Sequence, residues 1–349
     1  MPVAEAGVTR DWRALAALER LGELRSRSVQ TNHESLRRKD MTMSFKELSM
    51  MSREPVKVEV ADDDAEVLKF AADAFRQGGA ALATLVEIRG GAARAIGSHV
   101  AIAADGRFCG CVSGGCVEAV VAAEALLAIA EGKDRLIELG AGSRFFDIVL
   151  PCGGGITIAI HVLRGVSQIQ HVVHALAHRS PVALRYSSRD ASLSIVSPPR
   201  RTSWGNGELV RVYRPATRLL ISGNGVEARA VKAVADAAGF DVVWHPEGNF
   251  DFAEATDAHS AIVLLHHDIE KEIPIFNAVL YSNAFYIGAL GSERTHRERT
   301  RRLLMTGVNN QEISRIKAPI GIFGPARDAN SLALSIVADV AAARLALVP

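Results

Sequence analysis

The feature that most constrains the fold lies in the second half of the chain. The apolar run 218–222 ends in Gly223-Asn224-Gly225-Val226-Glu227-Ala228 and passes directly into an apolar-periodic stretch at 226–238. A strand that turns on G-x-G-x-x-A into a helix opens a dinucleotide-type βαβ unit. The glycines permit a tight turn and close approach of a phosphate, and the small sixth residue lets the helix pack on the strand. Strands at 241–244, 261–265 and 285–289 then alternate with helices at 293–306, 310–317 and 329–346. This alternation predicts a parallel, doubly wound sheet over 217–349.

The turn departs from the standard pattern. An acidic residue is expected about 20 residues on, at the end of the second strand, to bind a ribose. His245 follows Trp244 there, and Glu247 comes two residues later. Gly223 and Gly225 therefore read as an anion or nucleotide site, with NAD(P) as the alternative ligand. His266-His267-Asp268 follow an apolar strand, at the carboxyl end where α/β folds bind ligands. His267 reads as a ligand-contacting or proton-transfer group, or as part of a hydrogen-bonded loop. Ser292 caps the helix that follows or binds phosphate. Arg294 contacts phosphate or belongs to a solvated basic face with His296, Arg297, Arg299, Arg301 and Arg302.

The first half predicts a mixed α/β domain over 53–197. Asp62-Asp63-Asp64 offers N-caps for a helix at 65–77 that Gly78-Gly79 ends. Strands at 80–88, 98–103, 108–112, 135–139, 145–150 and 156–163 surround a helix at 117–131. A helix at 168–178 and strands at 182–186 and 192–196 follow. Residues 198–216, with Pro198, Pro199, Gly205 and Gly207, read as a turn-rich linker. Residues 1–52, arginine-rich and without strand signal, read as an unstructured extension.

Two glycine loops in this first domain carry cysteines. Ser113-Gly114-Gly115-Cys116-Val117-Glu118 lies between a strand and a helix, where free N–H groups favour an anion and the helix field favours a thiolate. Glu118 complements the helix dipole. Pro151-Cys152-Gly153-Gly154-Gly155 spends three glycines between two strands, an ordering cost that a backbone concavity for an anion would explain. A tight turn with a buried thiol, and an irregular hairpin, are the respective alternatives. The other two cysteines, Cys109 and Cys111, have one residue between them, too few for a structural zinc pair, and read as core. Four cysteines in 349 residues, no secretory signal and no apolar run of membrane-spanning length point to a reducing cytoplasm. The net charge of +1 gives no general reason to expect nucleic acid or a membrane surface as partner.

These motifs, taken together and in order, resemble the XdhC/CoxI family of molybdenum-enzyme maturation factors. The resemblance runs from about Val67 to Ala343. It is carried by Asp105-Gly106, by the loop from Val112 to Glu118, and by Pro151-Cys152-Gly153-Gly154. In the second half it is carried by Gly223-x-Gly225, His267-Asp268, the stretch from Ile287 to Ser292, and Ala318-Pro319-Ile320-Gly321. It implies a Rossmann-like second domain and a binding and delivery role, that of a cofactor chaperone, with no catalytic residue assigned. Such a chaperone holds the molybdenum cofactor (molybdopterin), supports its sulfuration by a cysteine desulfurase, and passes it to a xanthine dehydrogenase-type apoenzyme. Ser113, Gly114, Gly115, Cys116, Glu118, Cys152, Gly153 and Gly154 would contact the cofactor, the thiols of Cys116 and Cys152 meeting its metal or sulfur end. The loop N–H groups and the Gly223 turn would hold its anionic end. The alternatives are an NAD(P)-dependent oxidoreductase using His267 and a scaffold that only docks a partner. Oligomeric state, a homodimer included, stays open. His245, Phe323-Gly324-Pro325 and Asp339 depart from the family pattern.

Overall fold

A computed structural model describes residues 54–58, 63–141, 143, 153–246 and 250–347. The expected extension at 1–52, the expected strand at 145–150, Cys152 and Glu247 lie outside the described residues. The chain forms two compact units, Met1–Arg214 and Pro215–Pro349.

In the first unit, β1 (Val56–Lys57), β2 (Ala80–Arg89), β3 (His99–Ala103), β4 (Arg107–Gly110), β5 (Arg135–Gly140) and β6 (Gly155–Val162) make a six-stranded sheet. Its order is β1-β4-β3-β2-β6-β5, antiparallel except for the β1–β4 pair. Helix α1 (Asp64–Gly78) is capped by the Asp63 carboxylate, which accepts from Ala65 N–H at 2.9 Å, and it buries Val67, Leu68 and Ala71 against one face. Helix α2 (Glu118–Glu131) buries Val121, Ala125 and Ala128 against the other face, where small residues let it lie close to β2 and β6. Helix α3 (Ser167–Ala177) and a second sheet complete the unit.

That second sheet corrects the sequence reading. Residues 198–216 are not a linker. Ser203–Gly205 (β9) and Glu208–Tyr213 (β10) pair with Val182–Ser187 (β7) and Ser192–Val196 (β8) in the antiparallel order β8-β7-β10-β9. The turn between β9 and β10 is Asn206-Gly207, both at positive φ (53° and 77°), the two-residue hairpin geometry that Asn-Gly favours.

The second unit holds a five-stranded parallel sheet of β11 (Arg218–Ser222), β12 (Asp241–His245), β13 (Ser260–Leu264), β14 (Tyr286–Ala289) and β15 (Ile316–Lys317). The order β12-β11-β13-β14-β15 puts the topological switch between β11 and β13, as in a doubly wound fold. The helices are α4 (Val226–Ala237), α5 (Ile269–Val279), α6 (Glu293–Met305), α7 (Asn310–Ile313) and α8 (Ala329–Ala346). The sequence reading omits α5, which carries Pro274 in its interior, and runs α7 on through what is β15. Helix α8 is long and apolar enough by composition to cross a membrane, yet it holds the buried Asp339, which accepts from Tyr286 OH at 2.6 Å and from Lys317 Nζ at 2.6 Å. Part of the expected basic face on α6 is internal: Arg299 is fully buried and pairs with buried Glu272 at 2.8 Å.

Candidate functional site

Strand direction brings the two glycine loops together. β4 runs antiparallel to β3, β3 to β2, and β2 to β6. The carboxyl ends of β2 and β4 and the amino end of β6 therefore share one edge of the sheet. The loop after β4, the loop before β6 and the turn after β2 all emerge there. The turn lies between the two loops. A Cβ on Gly154 would collide with the Gly91 carbonyl, and one on Gly114 would sit 3.4 Å from Ala93 Cβ. Arg94 Nε donates to the Cys111 carbonyl at 3.5 Å. The place of this turn in the site comes from the register of β2 against β6.

Glu118 organises the first loop. It is 3% exposed. Its Oε1 accepts from Val112 N–H (3.0 Å), Ser113 N–H (2.9 Å) and the Cys111 thiol (3.2 Å). Its Oε2 accepts from Ser113 Oγ (2.8 Å) and Val117 N–H (3.2 Å). Burial opposes the charge, but the Ser113, Cys111 and Val112 donors outweigh it and hold the carboxyl down at about 2. Ser113 Oγ in turn accepts from Cys116 N–H at 3.2 Å. This is a correction: of the N–H groups expected to meet an external anion, those of Ser113 and Val117 are turned inward onto the chain's own carboxylate, and those of Gly114 and Cys116 onto the Cys111 and Ser113 side chains. Ser113 and Glu118 shape the loop.

The thiols sort by depth. Cys109 is buried, and burial pushes its thiol up to about 12. Cys111 is half-buried, donates to Glu118 and accepts from Gly114 N–H at 3.1 Å; burial and the Glu118 charge raise it, so it stays protonated. Cys116 is exposed at the start of α2. Gly115 beside it has φ +108° and open space where a Cβ would stand, so glycine is needed there for conformation and not for room. Among the described residues no cluster of three or more His, Cys, Asp or Glu side chains is placed to hold a metal ion.

The second unit has its own glycine turn. Gly223 has φ +141°, and a Cβ there would lie 2.7 Å from the Leu265 carbonyl. Gly225 precedes the first residue of α4. Glu227, in the first turn, folds its carboxylate back to 2.5 Å from where a Gly225 Cβ would be, and lies 3.6 Å from His267 Nε2. A negative charge thus occupies the ground where a pyrophosphate would bind. Trp244 Nε1 donates to the Gly223 carbonyl at 2.8 Å, and the His245 ring stacks on Phe250 at 3.9 Å. His266 Nε2 is 2.8 Å from Ser222 Oγ, and burial lowers its pKa. Asp268 and Ser292 are spent as N-caps of α5 and α6, while Arg294 is exposed.

Comparison with known proteins matches this architecture. Residues 74–140 match the XdhC and CoxI family, and residues 219–340 match the XdhC Rossmann domain. The chain is 45% identical over 297 residues to the molybdenum cofactor insertion chaperone PaoD of Escherichia coli (strain K12), covering 83% of this chain and 92% of PaoD. A crystal structure from Bacillus halodurans, described as a xanthine dehydrogenase, shares the fold with a TM-score of 0.64 at 21% identity, over 81% of this chain and 96% of that one. On the family matches and the identity to PaoD, this chain belongs to the XdhC and CoxI family.

Proposed function

We propose that this protein is a molybdenum cofactor insertion chaperone. It holds the cofactor at the loop edge of its first unit, supports sulfuration there through a cysteine desulfurase, and passes the cofactor to a xanthine dehydrogenase-type apoenzyme. The observation that carries the reading is the convergence of the glycine loops on one sheet edge, in a chain 45% identical to a protein of that name.

The donor set fits such a cargo at its soft end. Cys116 offers an exposed thiol, and Cys152 stands next to Gly153 in the second loop of the sequence. Thiols suit a molybdenum or sulfur atom. Gly114, Gly115 and Gly153 leave walls without side chains, against which a flat pterin can lie, while Gly154 is packed on the Gly91 backbone behind them. Glu118 and Ser113 act as positioning residues. The N–H groups of Ser113, Gly114, Cys116 and Val117 are taken by side chains of the loop itself, so the anionic end of the cargo needs charged side chains instead, and Arg94 lies beside the loop. The Gly223 turn is left out of the holding set because Glu227 repels phosphate there; the same charge argues against an NAD(P) enzyme.

The test is cofactor retention. The protein is co-expressed with cofactor synthesis genes, purified, and its molybdopterin counted as the fluorescent oxidation product. Retention is expected to fall about tenfold in Cys116→Ala and Cys152→Ala, the scale of one lost ligand bond at about 1.4 kcal/mol. Unchanged retention in both variants overturns the ligand assignment, and no molybdopterin on the unmodified chain overturns the reading.

A further inference from the structure

The segment that forms the second sheet concentrates the positive charge of the chain. Residues 164–214 hold eight arginines and no lysine against Asp190 and Glu208, a surplus of six in a chain whose net charge is +1. Several of these arginines are spent. Arg164 pairs with Asp134 at 2.9 Å, Arg211 with Asp64 at 2.7 Å, and Arg185 lies 3.9 Å from Glu208.

One end of the sheet is different. Val182 pairs with Tyr213 and Ala183 with Val196, so the exit of β10 and the stretch after β8 lie at the same end of the sheet, on either side of β7. Arg200, Arg201 and Arg214 gather there, and none of the three has a carboxylate partner among the described residues. Arg200 and Arg201 are exposed, and Arg214 Nη2 donates only to the Arg200 carbonyl, at 2.7 Å. Burial, and after it the nearby Arg211 charge, lower the pKa of Arg214. Pro198 and Pro199 stiffen the approach to Arg200.

We propose that this arginine corner is a docking surface for an acidic segment of a partner protein. Guanidinium forks match carboxylates two bonds at a time, and charges on an interface rim steer encounter. A nucleic acid strand would need the positive charge to run on along a groove, phosphate after phosphate. Here it stops: Arg185 and Arg211 along the sheet are already paired, and Arg189 lies at the opposite end, in the turn between β7 and β8.

The test uses the full chain and a fluorescein-labelled deca-glutamate peptide at low ionic strength, with a single-stranded oligonucleotide as competitor, read by anisotropy. The peptide is expected to bind, to be released by salt, and to lose at least tenfold in affinity on Arg200→Glu/Arg201→Glu and a smaller factor on Arg200→Gln/Arg201→Gln. Both positions are exposed, and matching thermal midpoints check that the fold is kept. Failure of the unmodified chain to bind the peptide, unchanged affinity in the charge-reversed variant, or tighter binding of the oligonucleotide than of the peptide overturns the proposal. Cofactor retention does not enter this readout, so the docking surface and the chaperone reading stand or fall separately.

Discussion

Glu118→Gln tests the internal design of the first glycine loop. The substitution keeps the side-chain shape, removes the charge and turns one acceptor oxygen into a donor. Five donors now converge on the carboxylate; after the change, those that meet Oε2 or its amide replacement face a donor. The magnitude follows from the pKa. Glu118 is held at about 2 against an ordinary 4.5, and at about 1.4 kcal/mol per pH unit this is about 3 kcal/mol of stability at neutral pH. A carboxyl depressed by folding contributes fully above its unfolded value, and the contribution is lost as pH falls through the folded one. The advantage of the unmodified chain is therefore present above about pH 4.5 and disappears toward pH 2. For a unit of this size the Tm at pH 7 should drop by about 6–12 °C. Differential scanning calorimetry of both proteins between pH 3 and 7 measures it. Midpoints within about 1 °C of each other at pH 7, or a gap that grows as pH falls, would refute the reasoning.

Other consequences follow from the same geometry. Gly154→Ala places a Cβ against the Gly91 carbonyl and 2.8 Å from that of Arg89, backbone atoms that must move. It should cost about 1–3 kcal/mol in denaturant unfolding and lower cofactor retention, and a neutral result would contradict the packing of the turn between the loops. Under iodoacetamide, peptide mass spectrometry should find Cys116 alkylated first, Cys111 slowly and Cys109 only on unfolding, with Cys111 faster in Glu118→Gln; equal rates for Cys116 and Cys111 would contradict the thiol–carboxylate contact. Calorimetric titration should show NAD and NADP binding no tighter than millimolar, and Glu227→Gln strengthening whatever binding there is. Micromolar affinity in the unmodified chain would show that Glu227 does not guard the turn.

What the sequence made legible, and what it hid, follows from the range of the interactions. The parallel sheet of the second unit was readable because each strand, turn and helix there announces itself locally, from Gly223 to Ala228 above all. Helix α5 was missed because Pro274 argues against a helix in any local reading, while its buried Ile273, Ile275 and Phe276 stabilise it through tertiary packing. The pair β9 and β10 was hidden by Pro198, Pro199 and two glycines, although Asn206-Gly207 was a hairpin signal within reach. In the site, residue types at 113–116 and 153–154 flagged the loops. The inward turn of the Ser113 and Val117 N–H groups onto Glu118 was not readable, because it depends on a buried carboxylate reaching back five residues to Ser113. The place of the 90–94 turn between the loops follows from the β2–β6 register, which no local pattern encodes.

The most direct test of the central claim is transfer. Protein purified with its cofactor is mixed with the apo form of a xanthine dehydrogenase-type enzyme, and the molybdopterin on each is counted after separation, alongside recovered activity. The chaperone reading predicts that the cofactor moves to the apoenzyme and activates it more completely than an equal amount of free cofactor, with Cys116→Ala delivering less. Cofactor that stays on this protein, or activation no better than by free cofactor, would contradict it.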